Sequence, residues 1–299
     1  MRTSDIARLL ALAAIWGASF IFIRIAVIPL SPIATADLRV ALAAVALGGW
    51  LRFAGIRLEW RAHWRFYLAV GFVTSALPFA LWAFSALQLP VSYLVVLNAT
   101  SPLFGALVSA VWLRERITAR AALGLAAGIA GVALLVGLGP LRATPPVLWA
   151  IVAGALAALS YAVAAAYMKR RSADVDAAAV ATGSQIGATL LLAPLLVALP
   201  PAAWPTPGEW AAVVLLGVLC TGIAYLLYFR LIADVGPTRA LTVTFLIPVF
   251  GMLWGALFLG EAITLVMAAG CALVLAGTAL ILRQPARASD PRRLAAGAP

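Results

Sequence analysis

The residues able to do chemistry are few, and they lie among long apolar runs. Ten Asp and Glu residues and one histidine, His63, are spread over 299 positions. No Asp, Glu, His or Cys residues recur at metal-ligand spacing. Cys220 and Cys271 lie within apolar runs, where a free thiol behaves as a small hydrophobe. An enzyme needs clustered titratable groups or a nucleophile with its base, so no enzyme, metal or cofactor is expected. What remains suits the holding of a solute. Asn98, Thr100 and Ser101 precede Pro102, and Thr244 and Phe245 precede Pro248. An amide side chain both donates and accepts, so Asn98 can meet an ammonium or a carboxylate. A proline within a helix frees the carbonyl one turn earlier. At membrane depth that carbonyl must be bonded by protein or line a wet cavity.

Aromatic residues recur at similar depth: Trp16, Phe20, Phe79, Trp82, Tyr161, Tyr225 and Tyr228, with Phe245. Their faces stack on apolar groups and bind cations. Ser19 and Ser160 stand beside Phe20 and Tyr161. Arg24, Asp37 and Arg39 are the ionisable residues placed within apolar segments, where charge is costly. Three readings stay open for them: an ion pair of Asp37 with Arg24 or Arg39 acting as an outer gate, an arginine that meets a substrate carboxylate, or snorkelling to the interface. Gln185 is a further polar candidate.

The elements that must position these residues follow from composition. The chain is 65% hydrophobic and 10% charged, with a net charge of +11. A soluble chain carries roughly 45–50% apolar and about 25% charged residues, so this one has too little polar surface to be soluble. A ruler of about 20 apolar residues per bilayer crossing places helices at 6–28, 33–51, 64–87, 91–112, 119–139, 147–168, 177–199, 209–232, 237–259 and 263–283. With the N-terminus inside, the inner connectors take eighteen of the 21 Lys and Arg residues, the outer ones take Arg142, and Arg24 and Arg39 lie within spans. That bias is the positive-inside pattern. The positive charge therefore marks a membrane side, with lipid as the surrounding partner, and no nucleic-acid partner is expected.

The chain also repeats itself at an offset of 146 residues. Pro102, Phe104 and Gly105 match Pro248, Phe250 and Gly251; Leu113, Glu115, Ile117 and Thr118 match Leu259, Glu261, Ile263 and Thr264; Gly124 and Gly131 match Gly270 and Gly277. Phe79 and Trp82 match Tyr225 and Tyr228. Five helices per half turn the second half upside down, as in many secondary transporters with a central site between inverted repeats. The expected organisation is a first five-helix repeat over 1–140, a linker over 141–146, a second repeat over 147–284, and a disordered inner tail over 285–299. The fold class is all-α integral membrane, with ten transmembrane helices. Glu115 and Glu261 are expected to cap the helices that follow them, with Thr118 and Thr264. The glycines of the fifth and tenth helices suit either packing within the bundle or a homodimer face. No acid lies near a helix middle, which leaves a facilitative uniporter open.

Two halves that each end in Pro, then Leu-x-Glu-x-Ile-Thr and a glycine-rich helix, together with Trp16-Gly17-Ala18-Ser19-Phe20, resemble the drug/metabolite transporter superfamily, in its EamA-type ten-helix branch of bacterial metabolite exporters. The resemblance implies a multi-pass protein of the bacterial inner membrane, with both termini cytoplasmic. It further implies export of a small molecule by alternating access. Aromatic amino acid exporters are similar in length and helix count, so amino acids or related metabolites are the expected substrates, with drugs or lipid-like molecules as the alternative.

Overall fold

Ala, Leu, Val and Gly runs dominate the chain, and they fold as helix throughout. The computed structural model describes residues 2–171, 175–201 and 203–282, and among these no strand occurs. The tail expected over 285–299 lies outside the described residues. The first helical stretch, α1 (Thr3–Ala54), has 52 residues. At about 1.5 Å per residue it would be roughly 78 Å long, more than twice a bilayer core of about 30 Å. It is in fact two arms that meet at Ser31, whose backbone stands at φ 75° and ψ 161°. Pro32 contributes, because the residue before a proline is driven out of helical space, though the positive φ lies beyond that preference.

The remaining elements follow in order. Helix α2 (Trp60–Gly71) continues through a π-helical turn, Phe72–Ala76, into α3 (Leu77–Ala86). Helix α4 (Val91–Asn98) meets α5 (Ser101–Trp112) at a break over Ala99 and Thr100. Helices α6 (Ala119–Leu138), α7 (Pro145–Arg171) and α8 (Ala177–Ala198) follow. Helix α9 (Pro207–Val214) passes through π-helical Leu215–Ile223 into α10 (Ala224–Val235). Short α11 (Pro237–Ala240) precedes α12 (Val243–Leu259), and α13 (Leu265–Leu282) is last. Eight stretches among the described residues are long and apolar enough to cross a membrane, the two-armed α1 counted once, and α12 is a shorter apolar helix. Large apolar side chains face outward, among them Val111, Val197 and Leu265, each more than four-fifths exposed. Such a surface fits lipid rather than water.

The repeat seen in the sequence has a local structural counterpart. The Glu115 amide donates to the Ser109 carbonyl at 3.2 Å, and the Glu261 amide to the Gly255 carbonyl at 3.1 Å. Thr118 caps α6 by accepting from the Ala121 amide at 3.2 Å, and Thr264 accepts from the Met267 amide at 3.2 Å. These two matching turns lie at opposite ends of the bundle. One end gathers the basic connectors: Arg8 pairs with Asp234, and Lys169 approaches Glu115 at 3.4 Å. At the other end the Ala203 amide donates to the Pro29 carbonyl.

The glycines of α6 and α13 serve packing inside the bundle. A methyl group on Gly124 would stand 2.7 Å from the Gly277 carbonyl oxygen, and one on Gly131 the same distance from that of Gly270. Only hydrogen fits there, so the two backbones come together closely. A homodimer cannot use these glycines as its face.

Candidate functional site

A cavity of about 1990 Å³ lies between the two halves. Helix α1 supplies Trp16, Ser19, Phe20 and Arg39 to its wall; α3 supplies Phe79 and Trp82; α7 supplies Tyr161; α10 supplies Tyr225 and Tyr228. Asn98, Ser101 and Pro102 enter from the break between α4 and α5, and Thr244 from the start of α12. Residues far apart in the chain thus converge. Trp82 stands edge-on to Phe20 with ring centroids 5.5 Å apart, and Trp16 is tilted against Tyr228 at 5.3 Å.

The break beside Asn98 has a simple cause. Pro102 lacks an N–H, so the Asn98 carbonyl loses its helical partner. The Ser101 hydroxyl donates to that carbonyl at 2.7 Å, and the Thr100 hydroxyl donates to the Leu97 carbonyl at 2.6 Å. Thr100 is buried and does not line the cavity. In the second half the expectation needs correction. Pro248 is accommodated within α12, and the break comes earlier, at Leu241 and Thr242. Pro248 and Phe245 lie outside the cavity wall. Ser160 does too: its hydroxyl donates to the Val73 carbonyl at 2.8 Å and ties α7 to the first π-helical turn.

The three charged candidates separate. Arg39 is buried in the cavity wall, with its guanidinium 3.6 Å from the centroid of the Phe79 ring and its Nε donating to the Thr221 hydroxyl at 2.9 Å. Arg24 lies elsewhere and donates to the carbonyls of Ala86 and Leu89 at 2.5 and 3.0 Å. Asp37 is buried, and its Oδ1 has no hydrogen-bond partner among the described residues. The expected ion pair among them is not formed among the described residues; Arg24 and Arg39 are bonded to other partners on the two arms of α1.

Glu261 also departs from expectation, since Thr264 alone caps the following helix. The Glu261 carboxylate instead accepts from the Val91 and Ser92 amides at 2.7 and 3.0 Å and from the Ser92 hydroxyl at 2.8 Å. A carboxylate on free amides at a helix N-terminus is a favourable pairing. Arg24 grips the carbonyls on one side of the connector between α3 and α4, and Glu261 grips the amides on the other. No residue of that connector enters the cavity wall. Glu115, the repeat counterpart, is more than half exposed at the basic end beside Lys169. The cavity runs out at that basic end, past Arg114, Glu115, Arg116, Arg120 and Lys169.

Among the wall residues that sequence reasoning missed are Thr74, Ser184 and Cys220. Thr74 and Cys220 sit in the two π-helical turns, a conformation that favours functional sites. Gly71 and Gly217, matched in the repeat, mark where those turns occur. A methyl group on Gly217 would stand 2.9 Å from the Arg39 carbonyl oxygen, so this glycine lets the second turn close on α1.

The arrangement can bind and enclose a solute, and among the described residues no three or more His, Cys, Asp or Glu side chains are placed to hold a metal ion. Comparison with known proteins points the same way. An uncharacterized transporter of Archaeoglobus fulgidus is 28% identical over 272 residues, covering 90% of this chain and 95% of that protein. The uncharacterized transporter YoaV of Bacillus subtilis is 23% identical over 273 residues, covering 90% and 93%. A solved crystal structure superposes with a TM-score of 0.66 at 22% identity over 94% of this chain and 96% of the other, a likeness of fold. The model of the EamA-like transporter family matches residues 5–137 and again 148–283. With its aromatic cavity between two halves that share one turn motif, the chain belongs to the EamA-like transporter family.

Proposed function

We propose that this membrane transporter is a secondary carrier that exports amino acids or related small metabolites across the bacterial inner membrane by alternating access. The observation that carries the reading is the cavity between the halves, which runs out at the basic end, while the connector held by Arg24 and Glu261 lies outside its wall. If the basic end is cytoplasmic, as the charge bias suggests, this is an inward-facing arrangement with both termini inside. Residues 1–140 and 147–284 are then the two inverted repeats, joined at 141–146. Asn98, Trp82 and their neighbours form the substrate site, and exchange of conformation between the halves moves access from one end to the other.

A second reading has its own support. Small-molecule pockets commonly span about 300–1,000 Å³, and this cavity is larger. A drug or lipid-like substrate would use the extra room. Proteoliposomes holding the purified protein distinguish the two. Counterflow of radiolabelled amino acids and small acids supports metabolite export, whereas counterflow of bulky cationic drugs alone overturns it. An imposed proton gradient in the same vesicles tests coupling. The lack of an acid in the cavity interior among the described residues favours uniport, and strong gradient-driven accumulation would sink that view.

A further inference from the structure

We infer that Arg39 is the carboxylate anchor of the cavity, and that the preferred substrates are apolar or aromatic monocarboxylates without an ammonium group. The inference rests on the cavity being the transport site and, within that reading, favours the related metabolites over the amino acids themselves. Arg39 is 7% exposed. Its Nε is committed to Thr221, and its face lies on Phe79. These contacts fix the guanidinium plane. Its terminal nitrogens form no ion pair or hydrogen bond to a carboxylate among the described residues. Asp37, two positions away, is absent from the cavity wall. A buried charge without a partner is unfavourable, and within a membrane such a group marks a ligand path.

The guanidinium fork matches a carboxylate through two parallel hydrogen bonds. Tyr161 and Tyr225 line the same cavity, and their hydroxyls can donate to an anion there. Trp16, Phe20 and Trp82 give the apolar body a place to stack. An ammonium finds no carboxylate in the interior, only aromatic faces and the Asn98 amide. Glu115 is the one acid in the cavity wall among the described residues, and it stands at the exposed mouth beside Lys169. Three arginines share that mouth, so its field draws anions in and holds cations out.

The test uses three probes with one phenyl body: 3-phenylpropionate, phenylalanine and phenethylamine. Each is titrated calorimetrically into the purified full chain in low-salt HEPES buffer free of carboxylate and chloride, then with chloride added. The expected order is 3-phenylpropionate tightest and phenethylamine weakest, at least about tenfold apart. Arg39→Gln removes about tenfold or more of the 3-phenylpropionate affinity and does not weaken phenethylamine, whose repulsion from the guanidinium it relieves. Arg39→Lys keeps the charge and part of the affinity, which separates anion binding from misfolding. Trp16→Ala locates the site, because it weakens the carboxylate probes if the cavity holds them. If Trp16→Ala weakens binding but phenethylamine matches 3-phenylpropionate, or Arg39→Gln leaves the order intact, the anchor is refuted and the cavity stands. If Trp16→Ala changes nothing, the cavity reading fails. Failure of the native chain to bind any probe refutes the substrate class. Chloride that abolishes the preference makes Arg39 a halide site and overturns the inference.

Discussion

Asn98 and Trp82 show two ways in which one residue serves a cavity. Asn98 is half-buried at a helix break, and its carbonyl is already bonded by Ser101. Its amide group remains for the solute. Asn98→Ala is expected to lower transport by about five- to tenfold, the worth of a hydrogen bond of about 1 kcal/mol or slightly more, with unchanged thermal unfolding in detergent. Unchanged transport would remove Asn98 from the site. Trp82 is 1% exposed and packs against Phe20, so it is core as much as wall. Truncating a buried Trp costs about 3–5 kcal/mol. Trp82→Ala should therefore lower both transport and the unfolding temperature, and transport lost with the unfolding temperature intact would show Trp82 to be wall alone. The aromatic wall was legible in the sequence because Phe79 and Trp82 repeat as Tyr225 and Tyr228. Arg39 was legible as a costly charge, but its place in the wall was not. That place depends on α3 bringing Phe79 over the guanidinium and on the second π-helical turn bringing Thr221 to its Nε. Neither approach leaves a local pattern.

At the scale of elements, turn chemistry read well and helix breaks read only in part. Pro102 opens α5 at the expected place, because Ser101 and Thr100 supply hydroxyls for the freed carbonyls. Pro248 has the same residue type, yet α12 runs through it. The Thr244 hydroxyl beside it turns back to the Leu241 carbonyl at 2.8 Å, and the break has moved there. A proline thus fixes that a backbone partner is lost, while neighbouring hydroxyls decide where the chain yields. Contact between α6 and α13 is a second element-scale feature, since glycine spacing told of close packing but not of its partner. Gly131→Leu would press its side chain on the Gly270 carbonyl, at an expected cost of about 1–3 kcal/mol. Gly137→Ala, on the same helix with open space around it, is the control. It should be neutral or gain up to about 1 kcal/mol from helix propensity. Thermal unfolding of the two variants in detergent checks the pair, and equal unfolding temperatures would count against close packing of α6 on α13.

At the scale of the whole molecule, the two halves hold one turn in two conditions. Glu261 is drawn onto the amides of α4 at the closed end, while Glu115, in the matching turn at the open end, faces solvent and Lys169. An inverted repeat that exchanges the conformations of its halves should exchange these conditions too. Glu261 then holds the arrangement described here, and Glu115 holds the opposite one. A cap of this kind contributes about 0.5–2 kcal/mol, so losing it shifts a two-state balance by roughly two- to thirtyfold. The reporter is Ser101→Cys in the cavity wall, with Cys220 and Cys271 first changed to alanine. A membrane-impermeant maleimide is applied to oriented vesicles from the side opposite the basic connectors. Glu261→Gln should raise labelling from that side, and Glu115→Gln should lower it, by removing support from the state that opens there. Opposite signs for two chemically identical substitutions are hard to obtain from general destabilisation, which would move both in one direction. Labelling that changes in the same direction for both, or in neither, would disconnect the matched turns from access and leave Glu261 as a static cap.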